Sequence, residues 1–548
     1  MKYLLLATAA LWSTVAFAAE PHFDMGRFSG DVRTLSSDAF EGRAPATAGE
    51  ARTLEFLIDR MAAAGLEPGG TPGPDGKRSW TQDVPLLMAD IAGRPSVALT
   101  AGGHTLTLNQ GQEVAVRAAL TGDKRVSLTD APLVFVGYGV KAPERNWDDF
   151  KGMDLKGKIL VVLVNDPDFE GGDGDFGGKA MTYYGRWTYK YEEAARQGAA
   201  GVLIVHETAP ASYGWATVAS SNTNTMFDIV RQEPRAAHTP MEAWIQRDVA
   251  VNLFKAAGLD FEKARVAARK ADFQPIPLKA TLSADYEVTA RVITSKNVLG
   301  RLPGTERPDE TVIYSGHWDH IGMGEPDARG DRIFNGAMDN ATGIAAMLEL
   351  ARAFKAAPPT PRSIVFLAVT AEEKGLLGSS YYADNPVWPL ARTVGVINMD
   401  SIVGPGPARD FTISGQARLD LLDLLIAEGR KRDRTYTPDP KVEAGGFFRS
   451  DHFPFAKRGV PALSFGPGID LLEGGVDAGR QWRDAYTRDK YHQQSDEWSA
   501  DWNLDGTKRD LGLLYAVGRG LADGTAWPNW SGDSEFRAAR DASAAERR

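Results

Sequence analysis

The chain has 548 residues, 43% of them hydrophobic and 24% charged, with a formal net charge of -10 and no cysteine. Such a length points to two or three domains rather than one. An acidic balance with no long basic run disfavours nucleic acid as a partner, and the lack of cysteine excludes disulfides, thiolate metal sites and cysteine nucleophiles.

Taken in order, residues Met1 to Ala18 begin with Lys2, continue as a Leu/Ala-rich run and end in Ala16-Phe17-Ala18. That is the order of features of a secretory signal peptide with its small-x-small cleavage site. No later stretch approaches the roughly 18 apolar residues of a membrane span. The expectation is an exported protein, periplasmic or secreted, with no membrane anchor once the leader is removed. Thr53 to Leu66 has helical apolar spacing at Leu54, Leu57, Ile58 and Met61. Phe40-Glu41-Gly42-Arg43 before it reads as a polar cap or turn with no assigned role. From Pro95 to about Leu120, alternating runs predict strands joined by turns.

Residues 130–285 read as a separate module. Leu133-Val-Phe-Val-Gly137 and Leu155-Lys-Gly-Lys158-Ile-Leu-Val-Val-Leu-Val164 are followed by the amphipathic segment Tyr191 to Gly198 and the strand Ala200 to Val205. This order resembles the protease-associated domain, a β-rich module inserted in several exported peptidases. Its loop at 166–175 carries Asp166, Asp168, Glu170, Asp173 and Asp175 around a formal G-x-G-x-x-G. Five carboxylates would repel a pyrophosphate, so the dinucleotide reading fails. A flexible acidic loop is the default expectation, and a Ca2+ site held by these carboxylates is the alternative.

Three apolar runs then end in polar groups. Thr311 to Gly316 stops at His317-Trp318-Asp319-His320, Ser363 to Thr370 stops at Glu372-Glu373, and Val394 to Met399 stops at Asp400. Between the first two, Gly336-Ala-Met-Asp339-Asn340-Ala-Thr-Gly343 opens a segment with apolar residues at Ile344, Met347, Leu348, Ala351 and Phe354, the spacing of an amphipathic helix. Strand-like runs alternating with helices give an α/β fold, a mainly parallel mixed sheet flanked by helices. Ligands bind outside the carboxyl ends of such strands, so one pocket could gather these groups. Further on come a helix at Leu419 to Arg430, the cluster Arg449-Ser450-Asp451-His452, the cluster Tyr491-His492-Gln-Gln-Ser-Asp496, a helix at Leu511 to Leu521 and, from Ser531, a frayed tail.

Taken singly, each polar residue has a plain structural reading, such as loop hydrogen bonding, a solvated helix face or a helix cap. Several carboxylates brought into one pocket need a cation to stay ionised, and imidazole with carboxylate is the donor set that suits zinc when thiolate is absent. His317-x-Asp319, Gly336-Ala-x-Asp339-Asn340-x-x-Gly343, Glu372-Glu373-x-Gly375-Leu-x-Gly378-Ser379, Asn398-x-Asp400 and Tyr491-His492 resemble the motifs of the M28 family of dinuclear zinc exopeptidases. The resemblance implies the zinc-exopeptidase fold with an inserted protease-associated-like domain. It divides the chain into a signal peptide at 1–18, the N-terminal part of the peptidase domain with lead-in strands at 19–129, the insert at 130–285, the catalytic domain at 286–525 and a tail at 526–548.

The resemblance also implies two Zn2+ per chain. Asp339 would bridge them, His317 and Asp400 would complete one site, and Glu373 and His492 the other. Asp319 would fix the His317 tautomer from behind, Glu372 would be the general base, and Tyr491 would hydrogen-bond the oxyanion. His320, Asp451 and His452 would line or support the pocket, which the insert would cover. The implied activity is that of an exported aminopeptidase acting on peptide substrates. A carboxypeptidase for acidic C-terminal residues is the alternative, with Arg449 and Arg458 as candidates for its arginine pocket. A catalytically silent receptor relative is the alternative of a different class, but such a protein should have lost ligands or base, and none is missing. Serine hydrolysis is disfavoured because Ala462-Leu-Ser464-Phe-Gly466 lacks the first glycine of G-x-S-x-G, and His206-Glu207 has no second histidine at the H-E-x-x-H spacing. Side-chain preference and oligomeric state are not encoded in any motif.

Overall fold

A computed structural model describes residues 21–171 and 174–547; the predicted signal peptide lies outside the described residues. Its backbone is dominated by two long strands, β1 (Thr81–Ala101) and, far along the chain, the strand Ile276–Leu302. They pair antiparallel from Thr81 opposite Val298 to Ala101 opposite Ala280, with one irregularity between Asp285 and Glu287. Numbering the main strands in chain order, β2 is Val114–Val116, β3 Arg125–Phe135, β4 Ile159–Leu163, β5 Gly201–His206, β6 Met241–Gln246, and β7 the long Ile276–Leu302. The peptidase-like half adds β8 (Arg307–His317), β9 (Arg362–Val369), β10 (Thr393–Met399), β11 (Asp410–Ile413) and β12 (Ala462–Pro467).

One end of β7 pairs with β3 and the other with β9. On the β9 side the spatial order is β7-β9-β8-β10-β12-β11, with β9, β8, β10 and β12 mutually parallel and the flanking β7 and β11 antiparallel. Every residue of β9 and β10 is buried, which is why these strands read as unbroken apolar runs. The Thr342–Ala356 helix covers this sheet with Ile344, Met347, Leu348, Ala351 and Phe354 buried, as the periodicity predicts. The fold is thus α/β with a mixed sheet and flanking helices.

On the β3 side the order is β3-β4-β5-β6-β2, parallel from β3 to β6. Its core joins Ala89, Val97 and Val114 to residues as late as Val288. β1 is paired with β7 along its whole length, and its Ala89, Val97 and Leu99 join the core of this β3 side.

Two expectations change on contact with the structure. The segment from Ser531 does not fray: Trp530 and Phe536 are buried, a short helix spans Arg537–Ala542, and buried Arg540 donates to the Thr393 carbonyl at 3.0 Å. In the acidic loop, Asp168 accepts from the backbone N–H of Gly174, Phe176 and Gly178. Asp166 accepts from the N–H and hydroxyl of Thr182, and Glu170 pairs with Arg265 and Arg269. These donors tie Asp166, Asp168 and Glu170 to the protein's own groups, so this part of the loop is held rather than flexible.

Candidate metal centre

His317 is the last residue of β8, Glu372 and Glu373 follow β9, and Asp400 follows β10, so three parallel strands deliver their carboxyl ends to one place. Asp339 comes from the loop before the Thr342–Ala356 helix. Asn340 anchors that loop, its side chain donating to the Met399 carbonyl and accepting from the N–H of Gly343 and Ser401. A side chain at position 343 would collide with Asn340 and the Met399 carbonyl, which explains the glycine three residues after Asn340.

His317 Nε2 lies 3.3 Å from one oxygen of Asp339 and 3.6 Å from Asp400 Oδ1. His492 Nε2 lies 3.2 Å from the other Asp339 oxygen and 3.2 Å from Glu373 Oε2. His320 Nδ1 is 2.6 Å from Glu373 Oε1. Two groups of converging donor atoms result, His317-Asp339-Asp400 and His320-Asp339-Glu373, sharing Asp339. The buried His317 Nε2 and Glu373 Oε1 face donor atoms of the same cluster without an aligned hydrogen bond, so the set fits metal ions better than an internal network. His320, assigned only a supporting place from sequence, stands as close to Glu373 as His492 does.

The supporting contacts are specific. His317 Nδ1 meets the backbone oxygen of Asp319 at 3.1 Å, with the nearer carboxylate oxygen at 3.8 Å. The Asp319 carboxylate itself accepts from the N–H groups of Glu372 and Glu373, at 3.0 and 3.4 Å, and so holds the loop that carries both. Ser450 donates to Asp400 Oδ2 at 2.8 Å, and Ser379 donates to Asp451 Oδ1 at 2.6 Å. His452 is buried with its ring edge against Phe447. Tyr491 is 45% exposed and stacks on His492, with ring centroids 3.9 Å apart.

Electrostatics follow from this crowding. Burial raises the Asp319 carboxyl to about 6, partly opposed by His317, and raises Asp451 to about 7. Burial, with Glu373, Asp451 and Asp400 nearby, drives the Glu372 carboxyl well above the usual range despite His317. Burial acts in the same direction on Asp339, but the His317 and His492 imidazoles beside its two oxygens outweigh it and hold Asp339 well below that range. One glutamate of the adjacent pair is thus disposed to hold a proton while Glu373, lowered by His320 and His492 against burial, stays ionised.

Two supports escaped the sequence reading. Arg43 is 1% exposed and donates to the carbonyls of Leu35, Trp318, Asn335 and Gly336, tying the N-terminal segment to both sides of the centre. Asp496 accepts from the N–H groups of Met338 and Asp339. Glu372 and Glu373 open on a cavity of about 790 Å3 whose other walls include Tyr183, Arg186 and His238 from the β3 side of the sheet.

The fold and the shared-carboxylate centre define a class, a hydrolase-type metal site at the carboxyl edge of a mixed α/β sheet. Residues 297–515, about two fifths of the chain, match the family model of Peptidase family M28, and that segment contains all the converging ligands and Glu372. A probable zinc metalloprotease of Pyrenophora teres f. teres is 38% identical over 115 residues, covering 21% of this chain and 24% of that protein. Aminopeptidase YwaD of Bacillus subtilis is 37% identical over 179 residues, covering 31% and 35%. The chain spans about a quarter to a half of the length of the curated relatives it first matches. Among solved structures, an aminopeptidase from Aneurinibacillus sp. strain AM-1 aligns over 91% of this chain and 94% of its own at 18% identity, with a TM-score of 0.48. Among the described residues, no helix is long and apolar enough to cross a membrane.

Proposed function

We propose that the chain is an exported zinc-dependent aminopeptidase that removes N-terminal residues from peptides. The observation that carries this reading is the pair of ligand groups joined at Asp339, with Glu372 beside them on the cavity wall. His317, Asp339 and Asp400 would hold one Zn2+, and Asp339, Glu373 and His492 the other, with His320 adjoining Glu373. Bound there, two Zn2+ would supply Lewis acidity to the scissile carbonyl and bring the pKa of a water towards neutrality.

The chain's own residues do the rest. Glu372 takes the proton of the attacking water and passes it to the leaving amine, a role that needs a carboxyl able to hold a proton near neutral pH. Asp319 keeps Glu372 and Glu373 on one rigid loop through their backbone N–H groups, so base and ligand keep a fixed spacing. Tyr491 donates to the developing oxyanion from the solvent side of His492. A free α-amino group of the substrate is held by the surrounding carboxylates, which makes the reaction exo rather than endo. Residues 130–285 act as a protease-associated-like cover.

Hydrolysis of leucine p-nitroanilide tests this. Activity should vanish on chelation, return with Zn2+, and be absent on the N-acetylated substrate. Cleavage of N-blocked peptides from the carboxyl end would instead establish the carboxypeptidase reading.

A further inference from the structure

Two arginines stack on one indole at the end of the sheet remote from the metal centre. Trp388 is buried ahead of β10 and donates its indole N–H to the Gly69 carbonyl at 2.9 Å. The guanidinium carbons of Arg78 and Arg301 sit 3.9 and 4.3 Å from the centre of its ring. Arg78 comes from the turn before β1, and Arg301 from the late end of β7, where it pairs with Val365 of β9. Arg301 also donates to the hydroxyl of Ser363, near the start of β9. From Ser363 to Val369 the strand runs about 20 Å, at about 3.3 Å per residue, before it reaches the loop of Glu372.

Among the described residues, neither guanidinium forms an ion pair. Glu67 and Asp309 act on Arg301 only across a gap, and Asp309 is itself paired with Arg392. Arg78 donates through Nη1 to the Gly70 carbonyl, and Arg301 through Nη2 to the Pro308 carbonyl and the Ser363 hydroxyl. Those bonds leave Nε and Nη2 of Arg78, and Nε and Nη1 of Arg301, without an acceptor among the described residues; Arg301 Nε is buried as well. Burial lowers both groups, and the charge of Arg78 lowers Arg301 further, yet a guanidinium stays charged at any physiological pH.

An indole face attracts each cation through its quadrupole but does nothing for the repulsion between two of them. A donor left buried without an acceptor adds a further cost. Both are relieved by an oxyanion, which guanidinium forks grip through parallel hydrogen bonds. Two positive charges select among oxyanions: a phosphate monoester brings about 1.5–2 negative charges and three acceptor oxygens at neutral pH, whereas a carboxylate brings a single charge.

We propose that Arg78, Arg301 and Trp388 form a phosphate-binding site at the amino ends of β9 and β10, a strand's length from the metal centre. The site does not depend on the peptidase reading above. Its phosphate has two sources, inorganic phosphate in solution or the monoester headgroup of a lipid such as phosphatidic acid.

The experiment titrates inorganic phosphate into the zinc-loaded protein by calorimetry, with ionic strength held constant by chloride, for the parent chain, R78Q, R301Q and R78K. Phosphate taken up at the metal centre is common to all of them, so the difference between parent and variants reports this site. The parent should bind a phosphate that R78Q and R301Q bind about tenfold more weakly or worse, the scale of one hydrogen bond to a charged group. R78K keeps the charge without the fork and should fall between them, which separates anion recognition from a folding defect. Flotation with phosphatidylcholine vesicles, with and without phosphatidic acid, distinguishes the sources. Retention that requires phosphatidic acid and is lost in R78Q assigns the lipid headgroup; calorimetric binding without retention assigns free phosphate. Identical isotherms in the parent, R78Q and R301Q, with no arginine-dependent retention on vesicles, would overturn the site.

Discussion

The backbone N–H of Asp339 donates to Oδ2 of Asp496 at 3.1 Å. The carboxylate that both halves of the metal centre share is thereby held from behind by a residue more than 150 positions away. Asp496 also accepts from Met338, so it fixes the direction of the whole loop and not one bond alone. Asp496→Ala should weaken metal binding by about 10- to 100-fold, the usual cost of losing a group that orients a ligand. Titration with Zn2+ followed by elemental analysis checks it, and an unchanged affinity would show that the loop keeps its shape without Asp496.

Glu372 and Glu373 should separate cleanly under the same change. Glu372→Gln removes the proton acceptor but no ligand, so both metals should stay bound while kcat falls about 100- to 10,000-fold. Glu373→Gln should lose metal and recover part of its activity when Zn2+ is added. Bound metal and kcat measured on both variants decide the assignment; metal loss at Glu372 with rescue would reverse it.

Arg43→Met keeps the aliphatic bulk but leaves carbonyls of Leu35, Trp318, Asn335 and Gly336 without their donor. The expected cost is about 3 kcal/mol or more, since hydrogen bonds from a charged donor contribute roughly 1.5–3 kcal/mol each. Denaturant unfolding of parent and variant measures it, and a loss below about 1 kcal/mol would mean that water replaces the guanidinium.

A pH dependence of stability is written into the β3 side of the sheet. His238 lies between Asp228, at 3.0 Å, and Glu242, at 2.8 Å, with Arg231 and Arg117 on the outer sides of those carboxylates. Burial opposes the imidazolium, but the two carboxylates outweigh it and raise His238 from 6.5 to about 9. Because the folded state binds this proton more tightly, its contribution is complete below pH 6.5 and is lost as the pH rises to about 9. The loss is about 3.5 kcal/mol at most, since each tenfold gain in proton affinity is worth about 1.4 kcal/mol. Unfolding free energy followed from pH 6 to 9.5 should fall accordingly, and His238→Gln should flatten that slope; a parent chain equally stable at both ends would remove the cluster from the account.

The centre was legible where chemistry sits on side chains at strand ends. His317, Asp400 and the Glu372-Glu373 pair each terminate a run buried on both faces, and a polar group in that position stands out against continuous apolar sequence. Arg43 and Asp496 were not legible as supports because they act on main-chain carbonyls and N–H groups, which every sequence offers and none advertises. His320 was visible but could not be placed, since one residue past a strand the side-chain direction depends on the turn. The C-terminal segment misled for another reason: Trp530, Phe536 and Arg540 are few, but each is inserted among residues from elsewhere in the chain. The place of β1 was hidden because its partner strand lies nearly 200 residues downstream.

That pairing of β1 with β7 has a mechanical consequence. Both strands continue from one half into the other as a ladder of backbone hydrogen bonds, so swinging the halves apart would require breaking rungs in the middle of the ribbon. Widening the gap between the β3 side and the carboxyl ends of the sheet is therefore expensive. Under the peptidase function proposed above, the protein would work as a ruler, measuring substrates against a span set when the chain folds.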